Sequence, residues 1–368
     1  MKKVLLINPI VYTSETKNIK KVESIKDSMI YDLCLGFQDR GYDVTLFAAK
    51  PYEPIGGEEY PFEIVWADCV LPEICLPHRL PVLSGLRDYI KQHRDSIDLI
   101  ISGEVFSVNS LIAYWTAPEK VLIWHELAKH NALFKKIPSK IWYNVITRVM
   151  MPNVRVVARS AEARSFIKRY CRNVCDFYID HGVNLDKFQP SWEKENYFVV
   201  CSQLIPRKRI DGIIDVFAEY LKKYDAAAKL YIAGNGTEEE KLKGLVKEKN
   251  IGSNVIFMGK ISHDVLQPLL SHSKALLVNT EKDNSMISIV ESIAVGTPVL
   301  TTDVPLNSEY IQGSNLGIAK QIWDEYDLNE IVVNNGVYVR NCMEYREKLS
   351  TGYRVSQFFA AFSGDNAL

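Results

Sequence analysis

The stretch "ALLVNTEKDNSMISIVESIAVGTPVLTT" (275–302) holds one complete unit of a fold. It opens on an apolar run at 275–279, crosses a polar loop, enters a helix close to Met286, and reaches a second apolar run at 298–302 after Gly296 and Pro298. Glycine and proline just past a helical pattern end the helix and return the chain to extended backbone. Neither apolar run alternates, which suits parallel strands covered on both faces. The stretch therefore reads strand, helix, parallel strand. It sets Asp283 and Asn284 at the C-terminal end of the first strand, where open α/β sheets bind ligands, and Glu291 about two turns into the helix. Ile287, Val290 and Ala294 form the apolar side, so Glu291 is expected on a different face. Two acids placed this way can accept hydrogen bonds from hydroxyl groups. A helix-dipole acid and a solvated helix acid leave the same trace.

The same unit repeats outward in both directions. Further strands are expected at 3–8, 44–49, 98–102, 121–124, 154–158 and 176–180, then at 197–202, 229–234 and 255–259. Helical periodicity fills the gaps. Met29, Leu33 and Phe37 recur every four residues ahead of Gly41, and Ile210, Ile213, Ile214, Phe217 and Leu221 form one stripe. Alternating strands and helices imply doubly wound α/β sheets, and two consecutive sets imply two Rossmann-like domains facing across a cleft. The length, 368 residues, agrees with two domains at roughly 150 residues each. The pattern breaks at "HGVNLDKFQPSWEKEN" (181–196), which divides the chain into domains at 1–190 and 191–350. The remainder, 351–368, is expected to be a helix packing back toward the N-terminal domain. "YREKLSTGYRVSQFFAAF" reads as two short helices split at Thr351–Gly352. Residues 50–95 are rich in proline and weakly periodic, and no elements are assigned there.

Net charge is −1, so global attraction to nucleic acid is not expected and any anion site must be local. The cysteines at 34, 69, 75, 171, 175, 201 and 342 are odd in number and lack metal or redox spacing, which suits buried thiols in a reducing cytosol. The opening "MKKVLLINPIVYTSETK" reads as a first strand rather than a leader, because Asn8 and Pro9 interrupt a short apolar run.

Three other loops follow expected strands of the second half. "AGNGTEEEKL" (233–242) sets Gly234 and Gly236 where backbone can come close to a ligand, or simply turn tightly. "SQLIPRKRID" (202–211) sets Arg207, Lys208 and Arg209 at a helix start, where cations and helix N–H groups together suit a diphosphate. "MGKIS" (258–262), with Gly259 and Ile261, follows a third strand. Loops at strand C-termini of one domain can converge on one crevice.

These residues resemble the donor domain of family 4 (group 1) retaining glycosyltransferases with the GT-B fold. The family's acid-x7-acid motif falls on Asp283 and Glu291, followed by its Ala-x-Gly-x-Pro-Val as "AVGTPV". Its Gly-x-Gly turn falls on Gly234 and Gly236, its Phe-x-Gly on Phe257 and Gly259, its phosphate-binding lysine on Lys208, and its seam signature on "HGVNLDKFQP" (181–190). In the first half, "RGYDVTLF" (40–47) resembles a family strand entry, and "LIWHE" carries His125 where the family keeps a histidine beside the donor sugar. Departures are also present. Gln203 stands where the family has an arginine, Asn284-Ser285-Met286 replaces a Gly-Phe-Gly run, and "VYTSETKNIKKVES" (11–24) replaces a Gly-Gly loop.

The resemblance implies a metal-independent hexosyltransferase with an acceptor-binding N-terminal domain, a donor-binding C-terminal domain, and a UDP- or GDP-sugar as donor. His125, Lys208 and Asp283 take the catalytic positions. Gln203, Arg207, Gly234, Gly236, Gly259, Ile261, Asn284, Ser285, Met286, Ile287 and Glu291 take the donor-binding ones. Glu291 is expected to hold the ribose, and Asp283 with the amides of Ser285 and Met286 the sugar. No metal or other cofactor is implied, and no nucleic acid. The expected acceptor is a glycan or lipid-linked sugar in surface polysaccharide synthesis. From Leu127 to Ala161 there is no acid, whereas Lys129, Lys135, Lys136, Lys140, Arg148, Arg155 and Arg159 are interleaved with Phe134, Trp142 and Tyr143. A basic, aromatic face of this kind suits peripheral contact with an anionic membrane, here the inner face of the cytoplasmic membrane. A nucleotide-sugar epimerase or a non-catalytic nucleotide-sugar-binding relative would use the same crevice. A nicotinamide dehydrogenase fits poorly, because no GxGxxG follows the first strand.

Overall fold

The computed structural model describes residues 2–12, 19, 21–70, 81–180, 182–283 and 285–364. The chain divides into two compact units, 1–184 with 351–368, and 185–350. The first contains a parallel sheet of β1 (Lys2–Ile7), β2 (Tyr42–Ala49), β3 (Glu63–Ala67), β6 (Ile97–Gly103), β7 (Val121–His125), β8 (Arg155–Ala158) and β9 (Asn173–Tyr178). Their order is β3-β2-β1-β6-β7-β8-β9. A separate antiparallel pair joins β4 (Cys69–Val70) to β5 (Val82–Leu83). The second unit orders β10 (Tyr197–Cys201), β11 (Lys229–Ala233), β12 (Val255–Gly259), β13 (Ala275–Leu277), β14 (Val299–Thr302) and β15 (Gly317–Lys320) as β12-β11-β10-β13-β14-β15. Both are doubly wound α/β sheets, as the continuous apolar runs require.

The strand order decides where a ligand can sit. In the second sheet the chain goes from β10 outward to β11 and β12, then crosses to β13 on the other side of β10. The loops leaving β10 and β13 therefore diverge, and an open crevice forms at their C-terminal ends. In the first sheet the equivalent point lies between β1 and β6.

Helices cover the sheets along the faces their periodicity indicates. The helix Met29–Asp39 is capped by the Ser28 hydroxyl, which accepts from Tyr31 N–H, and buries Leu33 and Phe37. The helix Ile210–Lys223 buries Ile210, Ile213, Ile214, Phe217 and Leu221. At the C-terminus the split expected at Thr351–Gly352 falls instead at Ser350, whose extended backbone separates a short turn, Arg346–Leu349, from the helix Thr351–Ser363. That helix belongs to the first unit. Phe358 packs 6.0 Å from Phe37, Phe359 stacks 4.4 Å from Tyr42, and Thr351 N–H donates to Val183 O at 3.0 Å. Enclosing Phe358, which is fully buried, contributes about 2–3 kcal/mol. Among the described residues, no helix is long and apolar enough to cross a membrane.

Candidate functional site

The loops after β10 and β13 are tied to each other. Pro206–Lys208 forms one tight turn, and Arg209 takes a left-handed conformation (φ 48) before its helix begins. From the other side, Glu281 N–H donates to Arg207 O at 2.9 Å, and the Asn279 side-chain amide to Arg209 O at 3.2 Å. This clamp brings three sequence-predicted residues together. The Asp283 carboxylate accepts from Lys208 Nζ at 2.7 Å and from Arg207 Nη1 at 3.0 Å. Thr280 Oγ1 donates to it at 2.6 Å. Burial opposes ionisation of Asp283, but the hydrogen bonds from Lys208, Thr280 and Arg207 outweigh it and hold the carboxyl below its ordinary range. Lys208 itself is buried. Arg209 turns outward and pairs with Glu281 at 2.7 Å, so Arg207 is the arginine aimed at Asp283.

Glu291 departs from expectation. It lies in the second turn of the helix Ile287–Ala294 and is only 6% exposed, whereas Ile287, assigned to the apolar side, is 45% exposed. The helix is covered on nearly every side, so its one acid has no solvated face to occupy. Burial raises the Glu291 pKa, and His263, whose Nδ1 lies 3.5 Å from Oε1, offsets this in part. Cys201, at the end of β10, feels the same surroundings. Burial, and then the Glu291 charge, push its thiol up to about 12.

The glycine turn has a structural cause of its own. A Cβ on Gly234 would lie 1.9 Å from Ser202 O, and one on Gly236 would lie 2.2 Å from Leu204 O. Leu204 N–H donates to Asn235 O at 2.9 Å and Gly234 N–H to Gly259 O at 2.8 Å, so the ends of β10, β11 and β12 are stitched together. The close approach that these glycines permit is to the neighbouring strand end. Gln203 is exposed on the stitched loop, and Ile261 is half-buried after β12. The expected sugar amides also differ from each other. Met286 N–H is taken up by Asn307 Oδ1, whose own amide donates to Tyr310 Oη at 2.6 Å. Ser285 is half-buried, and Asn284 lies outside the described residues.

In the first unit His125 ends β7 and is fully buried, with its ring parallel to Phe166 at 6.2 Å. It therefore presents no surface to a ligand in this conformation. Its Nδ1 lies 2.9 Å from Glu104 Oε2, although the ring N–H is not well aligned with that oxygen. Glu104 takes a left-handed conformation (φ 70) directly after β6, and its other oxygen accepts from Glu126 N–H at 2.7 Å and Leu127 N–H at 3.0 Å. Burial raises the Glu104 pKa, but His125 and the two amides bring it below the ordinary range. Glu104, Thr280 and Asn307 are polar partners that sequence reasoning missed. Glu104 had one available signal, an acid immediately after an apolar strand.

This geometry can be set beside known proteins. Residues 184–327 match the family model of glycosyl transferases group 1. Over these residues the chain is similar to that family. A similar curated protein is the N-acetyl-alpha-D-glucosaminyl L-malate synthase of Bacillus anthracis, 24% identical over 78% of this chain and 68% of that protein. Another is the poly(ribitol-phosphate) alpha-N-acetylglucosaminyltransferase of Staphylococcus aureus, 26% identical over 58% of this chain. This chain spans 42% of that longer protein. Among solved structures, HepE of Anabaena in complex with UDP superposes with a TM-score of 0.63 at 13% identity, covering 99% of this chain and 100% of HepE. At that identity the likeness establishes the fold. Two parallel-sheet α/β units, matched over nearly the whole chain by such a structure, are the GT-B glycosyltransferase fold.

Proposed function

We propose that this protein is a retaining, metal-independent glycosyltransferase of family 4. It moves a sugar from a UDP- or GDP-sugar to a hydroxyl of a glycan or lipid-linked acceptor in surface polysaccharide synthesis. The observation that carries this reading is the Lys208–Asp283–Arg207 cluster at the crevice between β10 and β13. Lysine has three N–H donors, so Lys208 can hold Asp283 and still donate to phosphate. With Arg207 and the N-terminus of the helix Ile287–Ala294, it stabilises charge growing on the leaving diphosphate. In the transfer, the bond from C1 to the diphosphate oxygen breaks and leaves its electron pair on that oxygen. The acceptor oxygen bonds to C1 on the same face, and its proton passes to the departing phosphate.

Asp283 and Ser285 are assigned to the sugar hydroxyls, and Glu291 to the ribose. Gly234, Gly236, Gly259, Ile261 and Gln203 are assigned to the nucleotide, with Ile287 at the helix start. His125, steadied by Glu104, is the first unit's candidate for a sugar contact, and this requires the residues enclosing it to open. The names of the two curated relatives both carry an α-N-acetylglucosaminyl group, and Anabaena HepE was also solved with UDP-glucose. They favour a uridine donor and an α product. Peripheral contact with a membrane through 127–161 belongs to the same reading.

The test is turnover of UDP- and GDP-sugars with a panel of acceptors in EDTA, with anomeric configuration read by NMR. Free nucleoside diphosphate together with a product of unchanged configuration is expected. An inverted product, or an epimerised sugar nucleotide with no free diphosphate, would overturn the assignment.

A further inference from the structure

The helix His263–Ser271 follows β12 and begins at the C-terminal end of the second sheet, the side on which the crevice opens. Gly259 turns the chain there in a left-handed conformation (φ 64), and its carbonyl accepts from Gly234 N–H at 2.8 Å. Ser262, with extended backbone, precedes the helix, and its carbonyl accepts from Val265 N–H at 3.2 Å and Leu266 N–H at 3.0 Å. Leu266 and Leu270 are buried and define the inward face. His263 stands three residues before Leu266 and seven before Leu270, so it lies on that same face. It is still 56% exposed, because it is the first residue of the helix.

Its polar neighbour is Glu291. His263 Nδ1 lies 3.5 Å from Glu291 Oε1, and the Glu291 side chain is 8% exposed. Among the described residues, the Glu291 carboxylate accepts no hydrogen bond and has no other ion partner. A carboxylate enclosed in this way is costly to ionise unless a cation or a donor faces it. Few other titratable groups lie near. Cys201 faces it from the end of β10, and its thiol, pushed up to about 12, stays neutral. Lys208, in the loop after β10, also acts on Cys201 but is bound to Asp283 at 2.7 Å. Lys260 and Asp264 flank His263 on its own segment and are exposed. His263 is therefore the cation available to Glu291.

We infer that His263 is a positioning residue of the donor site: its imidazolium pairs with Glu291 Oε1, holds that carboxylate in place for the ribose hydroxyls, and ties donor affinity to pH. The inference rests on the assignment of Glu291 to the ribose. A carboxylate has about four lone-pair directions on two oxygens, so pairing with His263 leaves capacity for two hydroxyls. Ribose hydroxyls donate to the ionised acid, so affinity is lost as pH falls and Glu291 takes up a proton. Burial raises the Glu291 pKa, and the attraction of His263 opposes it. Without the imidazolium, the loss begins at higher pH. Imidazoles gain charge as pH falls from about 8 to 5, the range in which burial alone would protonate the acid.

The test is donor affinity by isothermal titration between about pH 5 and 9, with UDP-glucose, UDP-N-acetylglucosamine and GDP-mannose. Their diphosphate diesters keep their charge across that range. His263→Ala should weaken binding roughly three- to fivefold near pH 6, the size of a partly exposed ion pair, and leave it unchanged near pH 9. His263→Lys keeps a cation and should restore the wild-type profile. In the Glu291→Gln background, His263→Ala should have no further effect. Melting temperature, read on the same samples, reports folding. Identical profiles for wild type and His263→Ala would overturn the inference. So would a loss of equal size at every pH, or one that persists in the Glu291→Gln background. Unaltered binding by Glu291→Gln, or no binding of any of the three by folded wild type, would remove the ribose assignment itself and this inference with it.

Discussion

The helix Ile287–Ala294 encloses a carboxylate, whereas the segment Ile137–Met150 turns β-branched apolar side chains to solvent. Each inverts the usual partition of side chains, in opposite senses. In the second unit the inversion raises the Glu291 pKa and keeps that acid beside the crevice between β10 and β13. In the first unit it leaves apolar area with no folding role. Such departures from pattern are tolerated where function requires them. A buried acid suits a small polar ligand that enters and replaces water, and an exposed apolar stripe suits an extended surface.

Substitutions can break or sharpen this contrast. The largest effect is expected at Lys208. Lys208→Ala removes the cation proposed to stabilise the leaving diphosphate and should lower kcat by roughly 100- to 1000-fold. An unchanged kcat would remove Lys208 from the proposed chemistry. Next is the cost of opening each helix. Ile289, fully buried in the helix Ile287–Ala294, should lose about 2–5 kcal/mol of stability on truncation to alanine, measured by urea unfolding. Ile141→Ala should lose no more than about 0.5 kcal/mol. Equal losses would mean that the exposed stripe is covered within the fold.

Glu291→Gln should act on two quantities. Donor affinity should fall about 10- to 100-fold if the carboxylate holds the ribose. The raised pKa means that the folded state binds more protons than the unfolded chain above the ordinary glutamate range. Stability from this group therefore falls as pH rises through that window, and Glu291→Gln should remove the fall. A melting temperature with the same pH slope in both proteins would contradict the assignment.

A smaller effect is expected at Lys194, a half-buried cation in the same unit. It donates to Ser271 O at 2.6 Å and Thr297 Oγ1 at 2.8 Å, and burial, with Lys274 adding, brings its pKa down to about 7. The folded state then binds fewer protons than the unfolded chain between pH 7 and the ordinary lysine value. Stability should rise with pH across that range, and Lys194→Met should flatten the rise in melting temperature.

The fold was legible where strands are central. β1, β10 and β13 read as continuous apolar runs because both faces are covered. β3 and β15 were missed because Glu63, Gly317 and Lys320 dilute an already short signal. In the site, strand-end logic placed Lys208 and Asp283, which the structure joins. Glu104 and Asn307 escaped notice because their roles depend on His125 and Met286, far away in the chain. The charge of 127–161 was visible in the sequence, but its outer face was not. A π-helix shifts the period, and no residue type announces that shift.

The most direct test of the central claim is donor binding by thermal shift, in EDTA, with UDP- and GDP-sugars and the free nucleotides, on wild type, Lys208→Ala and Glu291→Gln. Binding to the folded state alone raises the melting temperature by mass action. A rise with one nucleotide series, reduced in both variants, is the expected result. No rise with any nucleotide at saturating concentration, or a rise that neither substitution changes, would contradict a donor site built from the loops after β10 and β13.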